Sequence, residues 1–201
     1  MICAEYELGL GDDNEGIMVL DSNAQVGMLA SEYFKIDSDI IFDIGLTPNR
    51  SDAMSHIGVA RDLMTVLNYK GANLQMCIPS VDKFSNQTND KLVSVEVLDY
   101  KLCPRYSGVS LSGIRISESP KWLREKLQVI GITPTNNVVD ITNYVLHETG
   151  QPLHAFDLKH INGNKIIVKK CEEKTKFVTL DEKERELSNE DLMICDANSP
   201  L

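Results

Sequence analysis

No stretch of this chain approaches the ~20 consecutive apolar residues that span a bilayer. Its opening, MICAEYELGLGDD, has neither the basic region nor the apolar core of a secretory leader. A cytoplasmic protein with no membrane role is therefore expected. Cysteines are few and badly spaced for a framework. Cys3, Cys77, Cys103, Cys171 and Cys195 are odd in number, widely separated and include no C-x-x-C. That pattern speaks against a zinc site or a disulfide scaffold and predicts buried, reduced thiols. Positive charge is also short, with 20 Lys and Arg against 30 Asp and Glu, a net −10. A free-standing nucleic-acid binder would carry the opposite sign, although a basic neighbour can present an RNA end to an acidic domain. Neither G-x-x-x-x-G-K-[ST] nor G-x-G-x-x-G occurs, so no motif supports nucleotide binding. Internal repeats and low-complexity segments are lacking too.

What remains is an ordinary globular chain of 201 residues, 42% hydrophobic, with material for one large or two small domains. The pattern predicts an α+β protein of two small mixed domains, 1–75 and 91–201, joined by a linker at 76–90. In the first, DIIFDIGL (39–46) reads as a strand stopped by Pro48 and Asn49. A helix capped by Ser51 follows, with Ala53, Ile57, Ala60, Met64 and Leu67 as one apolar stripe and Gly71 as its stop. DKFSNQTND (82–90) is polar and turn-rich. In the second domain LVSVEVL (92–98) alternates cleanly as a strand, and RYSGVSLSGI (105–114) less so. SPKWLREKLQVIG (119–131) predicts a helix capped by Ser119, with Pro120 in its first turn. Its inner face would be Trp122, Leu123, Leu127 and Ile130. A further helix is expected from Val138 to Glu148, capped by Asn137 and stopped by Gly150. KIIVKK, KFVTL and DLMICD read as strands of a sheet that the helices cover.

One stretch is unusual. NNVVDITNYVLHETGQPLHAFD (136–157) sets asparagines, aspartates and histidines among apolar residues. Thr142 and Asn143 fall in mid-helix, where short polar side chains are mediocre helix formers. Beyond Gly150, Pro152 stiffens a loop that carries His154. A polar helix face beside a rigid histidine loop is a reasonable pocket. Each residue also has a plainer use. His154 can bond loop backbone, Thr142 and Asn143 can be helix-surface groups, Asp157 can cap a turn, and His56, His147 and His160 can be solvated. An Asp140–His154 hydrolase pair is an alternative with no supporting motif.

CAEYELGLG, TPNRSDAMSHIGVARDL, RYSGV, the 136–157 stretch and LMICDA stand in the order found in the β chain of bacterial phenylalanyl-tRNA synthetase, which this chain resembles over nearly its whole length. The resemblance implies an internal fragment holding part of the small N-terminal α+β domain and most of the editing domain. In that family the editing domain hydrolyses tyrosine misattached to phenylalanine tRNA. Carried over by position, Thr142 and Asn143 would bind the amino acid or ester, Pro152 would shape the wall, and His154 would position ester, ribose or water. His154 is the catalytic candidate, with substrate-assisted attack equally open. The implied partners are phenylalanine tRNA and the α subunit, in a whole enzyme of two α and two β chains. No cofactor is expected in this fragment; ATP and magnesium serve the whole enzyme. Two departures follow. Thr133 stands where relatives often carry arginine, and the tyrosine-reading glutamate and a glycine-rich pocket loop are expected past residue 201. A fragment with half a pocket would act weakly, which leaves a non-catalytic architectural or tRNA-contact module as the alternative.

Overall fold

The computed structural model describes residues 3–11, 13–35, 40–85, 92–179 and 182–201. Helices and mixed sheets make it an α+β protein, as the alternating patterns predict. The chain forms two compact units, Met1–Asp43 and Ile44–Leu201.

The smaller unit holds a 3-10 turn at Tyr6–Leu8 and one short helix, α1 (Ala30–Tyr33). Backbone hydrogen bonds from Tyr6 N–H to the Asp13 carbonyl and from Met18 N–H to the Cys3 carbonyl, each 3.0 Å, close its loops. Residues 40–46, read as strand from their sequence, are extended without a ladder, and Asp39 lies outside the described residues. A strand requires a neighbour along its length to take its N–H and C=O groups, and among the described residues 40–46 join no β-ladder. Ile41 and Phe42 accordingly point their apolar bulk to solvent.

In the larger unit, Ser51–Ala53 form a 3-10 turn and α2 (His56–Tyr69) follows. The cap is Ser55, not Ser51: Ser55 is extended and its Oγ accepts from Gly58 N–H at 3.0 Å. Gly58 is required by space. A Cβ there would lie 2.4 Å from the Asp52 carbonyl oxygen and 2.7 Å from the Ala53 Cα. Arg50 clamps this corner, its Nη2 donating to both Asp62 oxygens at 2.9 and 2.7 Å and its Nε to Asp52 at 3.0 Å. The guanidinium holds the Asp52 carboxyl below its ordinary range by hydrogen bonding.

Segments Ser94–Val97, Lys165–Lys170 and Leu192–Cys195 form a three-stranded sheet in that order. β1 (Ser94–Val97) runs parallel to β2 (Lys165–Lys170), and β2 pairs antiparallel with β5 (Leu192–Cys195). A parallel pair needs a long crossover, and here the crossover carries α3 (Lys121–Val129) and α4 (Asn137–Thr149). β2 alternates, with Ile166 and Val168 buried. A separate hairpin pairs β3 (Lys176–Val178) with β4 (Glu184–Glu186). The expected strand at 105–114 is irregular, and residues 86–90 of the expected linker lie outside the described residues.

α3 buries Leu123 and Leu127 at 1% exposure each, but Trp122 is 57% exposed and does not belong to the inner face. Its indole instead meets the Tyr144 ring edge-on at 5.7 Å. The thiols are free as expected but not uniformly buried: Cys195 is buried, Cys3, Cys103 and Cys171 are half-buried, and Cys77 is exposed. No helix among the described residues is long and apolar enough to cross a membrane.

Candidate functional site

The site is built on α4. Asn136 precedes the helix in extended geometry, and its side-chain oxygen accepts from Val138 N–H at 3.0 Å and Val139 N–H at 3.1 Å. Asn136 is thus the cap, rather than the expected Asn137. Asn137 does other work. Its Nδ2 donates to the Arg115 carbonyl at 3.0 Å and its Oδ1 accepts from Ser117 N–H at 3.3 Å, tying the incoming segment to the helix start.

One turn on, Asp140 is buried at 1% exposure. Its Oδ2 accepts the Ser119 hydroxyl at 2.5 Å and its Oδ1 accepts Thr135 N–H at 2.8 Å. Ser119, expected to cap α3, spends its hydroxyl here instead, and Pro120 occupies the cap position without a side-chain bond. The alternative Asp140–His154 pair shows no hydrogen bond among the described residues, and both Asp140 oxygens already accept one bond each within the α3–α4 corner. His56 Nδ1–H donates to the His147 carbonyl at 2.8 Å and joins α2 to α4.

Thr142 and Asn143 are half-buried on the next turn. The Thr142 hydroxyl donates to the Val139 carbonyl at 2.7 Å, leaving only its lone pairs for a ligand. The Asn143 side chain has no hydrogen-bond partner among the described residues, so both ends of its amide are available. Gly150, at φ +79°, ends the helix, and its N–H donates to the Leu146 carbonyl at 2.7 Å. The chain then enters an extended loop that exposes Pro152 and His154. The His154 ring lies nearly parallel to Phe156, 6.3 Å between centroids and 15° between planes. Asp157 closes the loop by accepting Lys159 N–H at 3.0 Å. Thr142 and Asn143 are adjacent on one helix, and Pro152 and His154 share one loop. No hydrogen bond links the two pairs.

A cleft lies elsewhere. About 420 Å³ is lined by Ile57, Leu63, Met64 and Leu67 of α2, by Met76 of the returning segment, and by Glu148 of α4. The stripe expected to be buried under α2 thus lines an open, mostly apolar groove. A second cleft of about 290 Å³, in the smaller unit, is flanked by Glu5, Asp13 and Glu15. Neither includes the four candidate residues.

Sequence reading missed the Asp196 turn. Asp196 is 1% exposed; Oδ1 accepts from Asn198 and Ser199 N–H at 2.7 and 2.8 Å, and Oδ2 from Asn162 N–H and Nδ2 at 3.0 and 2.7 Å. Backbone N–H donation lowers its pKa to about 2. DANS is an Asx-type turn signal that names half of this arrangement; the bond to Asn162 is not local.

Residues 102–201 match the B3/4 domain family. The whole chain is 52% identical over 201 residues to the phenylalanine–tRNA ligase beta subunit of Bacteroides thetaiotaomicron, covering 24% of that protein. It is 52% identical over 198 residues, 98% of this chain, to that of Porphyromonas gingivalis and 47% identical over 206 residues, 100% of this chain, to that of Salinibacter ruber, covering 24% of each. The chain therefore spans about a quarter of the length of these relatives. It belongs to the phenylalanine–tRNA ligase β-subunit family, within the aminoacyl-tRNA synthetases.

Proposed function

We propose that this segment carries part of an editing site that hydrolyses tyrosine mischarged onto phenylalanine tRNA, within a subunit of the enzyme that attaches phenylalanine to that tRNA. The observation that carries this reading is that Thr142, Asn143, Pro152 and His154 all fall inside the matched B3/4 region, 102–201, of a β-subunit relative. Editing answers a physical problem. Phenylalanine and tyrosine differ by one hydroxyl, and an apolar pocket rejects an added hydroxyl only modestly. A second site that accepts the wrong product restores fidelity.

In this reading the free Asn143 amide binds the amino-acid or ester end, and the Thr142 oxygen accepts from a ligand donor while donating to Val139. Pro152 forms the wall. His154 orients the ester, the terminal ribose or the attacking water, and its exposure lets a large ester reach it. The working protein would hold phenylalanine tRNA and an α subunit, as two α and two β chains in the cytoplasm, with ATP and magnesium serving the activation step elsewhere in the enzyme. Within the longer subunit, 1–75 would belong to its N-terminal α+β domain, 76–90 to a linker and 91–201 to the editing domain.

The test is deacylation of tyrosyl-tRNA(Phe) by the complete αβ enzyme. His154→Ala and Asn143→Ala are expected to slow it by ~10²-fold or more, with phenylalanine attachment unchanged. Equal deacylation by wild type and His154→Ala would remove the histidine from the chemistry.

A second reading, an architectural or tRNA-contact module, has its own support. Val109 is 63% exposed and Leu111 71%, with Ile116 also exposed along the same segment. Exposed apolar rows of this kind are usually covered by another surface. Wild-type deacylation in a His154→Ala, Asn143→Ala double variant would favour that reading.

A further inference from the structure

Two thiols meet in the larger unit. Cys195, the last residue of β5, is fully buried, and its Sγ lies 3.9 Å from that of Cys171, which directly follows β2 and is half-buried. Nothing in the proposed function uses either. We propose that Cys171 and Cys195 form an oxidant-responsive pair, in which a peroxide oxidises Cys171 and Cys195 then closes a disulfide onto it.

The geometry assigns the order of events. Cys171 has open surface, so a small peroxide can reach it; Cys195 has none. Burial pushes the Cys195 thiol up to about 11, so it stays protonated and does not react first. Attack of the Cys171 thiolate on the peroxide breaks the O–O bond and yields a sulfenic acid, with the other oxygen leaving as hydroxide that protonates to water. Cys195 then gives up its proton and its thiolate attacks the sulfenic sulfur, displacing hydroxide that takes up a proton to become water. In sum two thiols and one hydrogen peroxide become one disulfide and two waters.

Closing the bond requires the sulfurs to approach from 3.9 Å to about 2.05 Å. The backbone holds the two cysteines differently. β5 is held in register, with Cys195 opposite Ile167 and Asp196 locked into its turn. Cys171 has left β2 and enters a tight turn in which Thr175 N–H donates to the Glu172 carbonyl at 3.2 Å. Movement therefore falls on Cys171, and the product would pin this turn to the strand carrying Asp196. Cys77 is the natural internal competitor, because it is exposed but sits in the apolar cleft beside α2. Exposure alone favours Cys77; the neighbouring thiol favours Cys171.

The experiment treats the reduced full chain with stoichiometric hydrogen peroxide, quenches at intervals and maps peptides without reduction. A Cys171–Cys195 cross-linked peptide is expected, lighter by two hydrogen atoms, reversed by dithiothreitol and formed before Cys77 oxidises. In Cys171→Ser, Cys195 should remain a thiol. In Cys195→Ser, Cys171 should halt as a sulfenic acid that dimedone traps. Oxidation of Cys77 with Cys171 still reduced, or a Cys171 bond to any other cysteine, overturns the proposal. The wild-type map and Cys171→Ser decide the matter even if Cys195→Ser fails to fold.

Discussion

Replacing Ser119 by alanine should destabilise the larger unit out of proportion to the atom removed. Ser119 Oγ donates at 2.5 Å to Asp140, which is 1% exposed, and among the described residues the other bond to that carboxylate comes from Thr135 N–H at 2.8 Å. Removing one donor to a buried carboxylate costs ~1.5–3 kcal/mol. For a chain of this size that lowers Tm by roughly 3–12 °C. Asp140→Ala strands the Ser119 hydroxyl and the Thr135 N–H and leaves a small cavity, so ~3–5 kcal/mol is expected. Asp140→Asn keeps one oxygen for Thr135 and an NH₂ that the Ser119 oxygen can accept, so its cost should fall between wild type and alanine. The double variant Ser119→Ala, Asp140→Ala should cost less than the sum of the singles by ~1–2 kcal/mol, because the two residues share one bond. Urea unfolding followed by far-UV circular dichroism measures all four. Additive singles, or a Ser119→Ala loss below ~0.5 kcal/mol, would show that this corner is held by packing alone.

Gly58→Ala should lose ~1–3 kcal/mol, because its Cβ would press on the Asp52 carbonyl at 2.4 Å; a neutral melting shift would mean that α2 slides freely over its preceding turn. Asp196 titrates at about 2 in the folded chain against an ordinary 3.8. Its contribution is therefore complete above pH ~4 and fades as pH falls through ~2. Asp196→Asn should flatten that acid limb, and an unchanged limb in acid titrations followed by circular dichroism would contradict the lowered pKa. His154→Ala should leave Tm within ~1 °C of wild type, since the ring is exposed and its one ring contact is the stack on Phe156; a larger loss by scanning calorimetry would give the imidazole a structural duty.

Periodicity made the helices legible and left their ends off by a residue or several. Leu123 and Leu127 bury as the stripe predicts, while Trp122 leaves it because Tyr144 on α4 offers an edge-on partner. Ser119 looked like a cap because it precedes a proline; its true partner stands 21 residues away. No local rule weighs that distance. Residues 40–46 and 105–114 read as strands yet join none among the described residues, since an apolar or alternating pattern describes a face and a ladder requires a second chain segment. β4 reads Glu-Arg-Glu and shows no apolar alternation at all; it exists through its pairing with β3, aided by the 2.7 Å Lys176–Glu184 ion pair. Of the candidate site, the residue types and the Gly150 stop were readable, but the roles of Thr142 and His154 came from family likeness. Cys171 and Cys195 could not be paired from sequence, because only the β2–β5 arrangement brings their sulfurs together.

The crowding of polar residues in 136–157 divides by what each side chain bonds. Asn136, Asn137, Asp140 and Asp157 are consumed by the chain itself, as cap, stitch, corner and turn. That consumption has a use. A helix carrying mid-turn Thr and Asn is weak on propensity alone, and the fixed first turn and the Gly150 stop hold it at both ends. Once held, α4 tolerates a half-buried amide with no partner, Asn143, at the centre of its length. Its polar atoms are not among the buried unpartnered groups of the described residues, so water can satisfy them. Asn136, Asn137 and Asp140 thus fix the start of α4, while the Asn143 side chain on the same helix keeps its donor and its acceptor without a partner among the described residues.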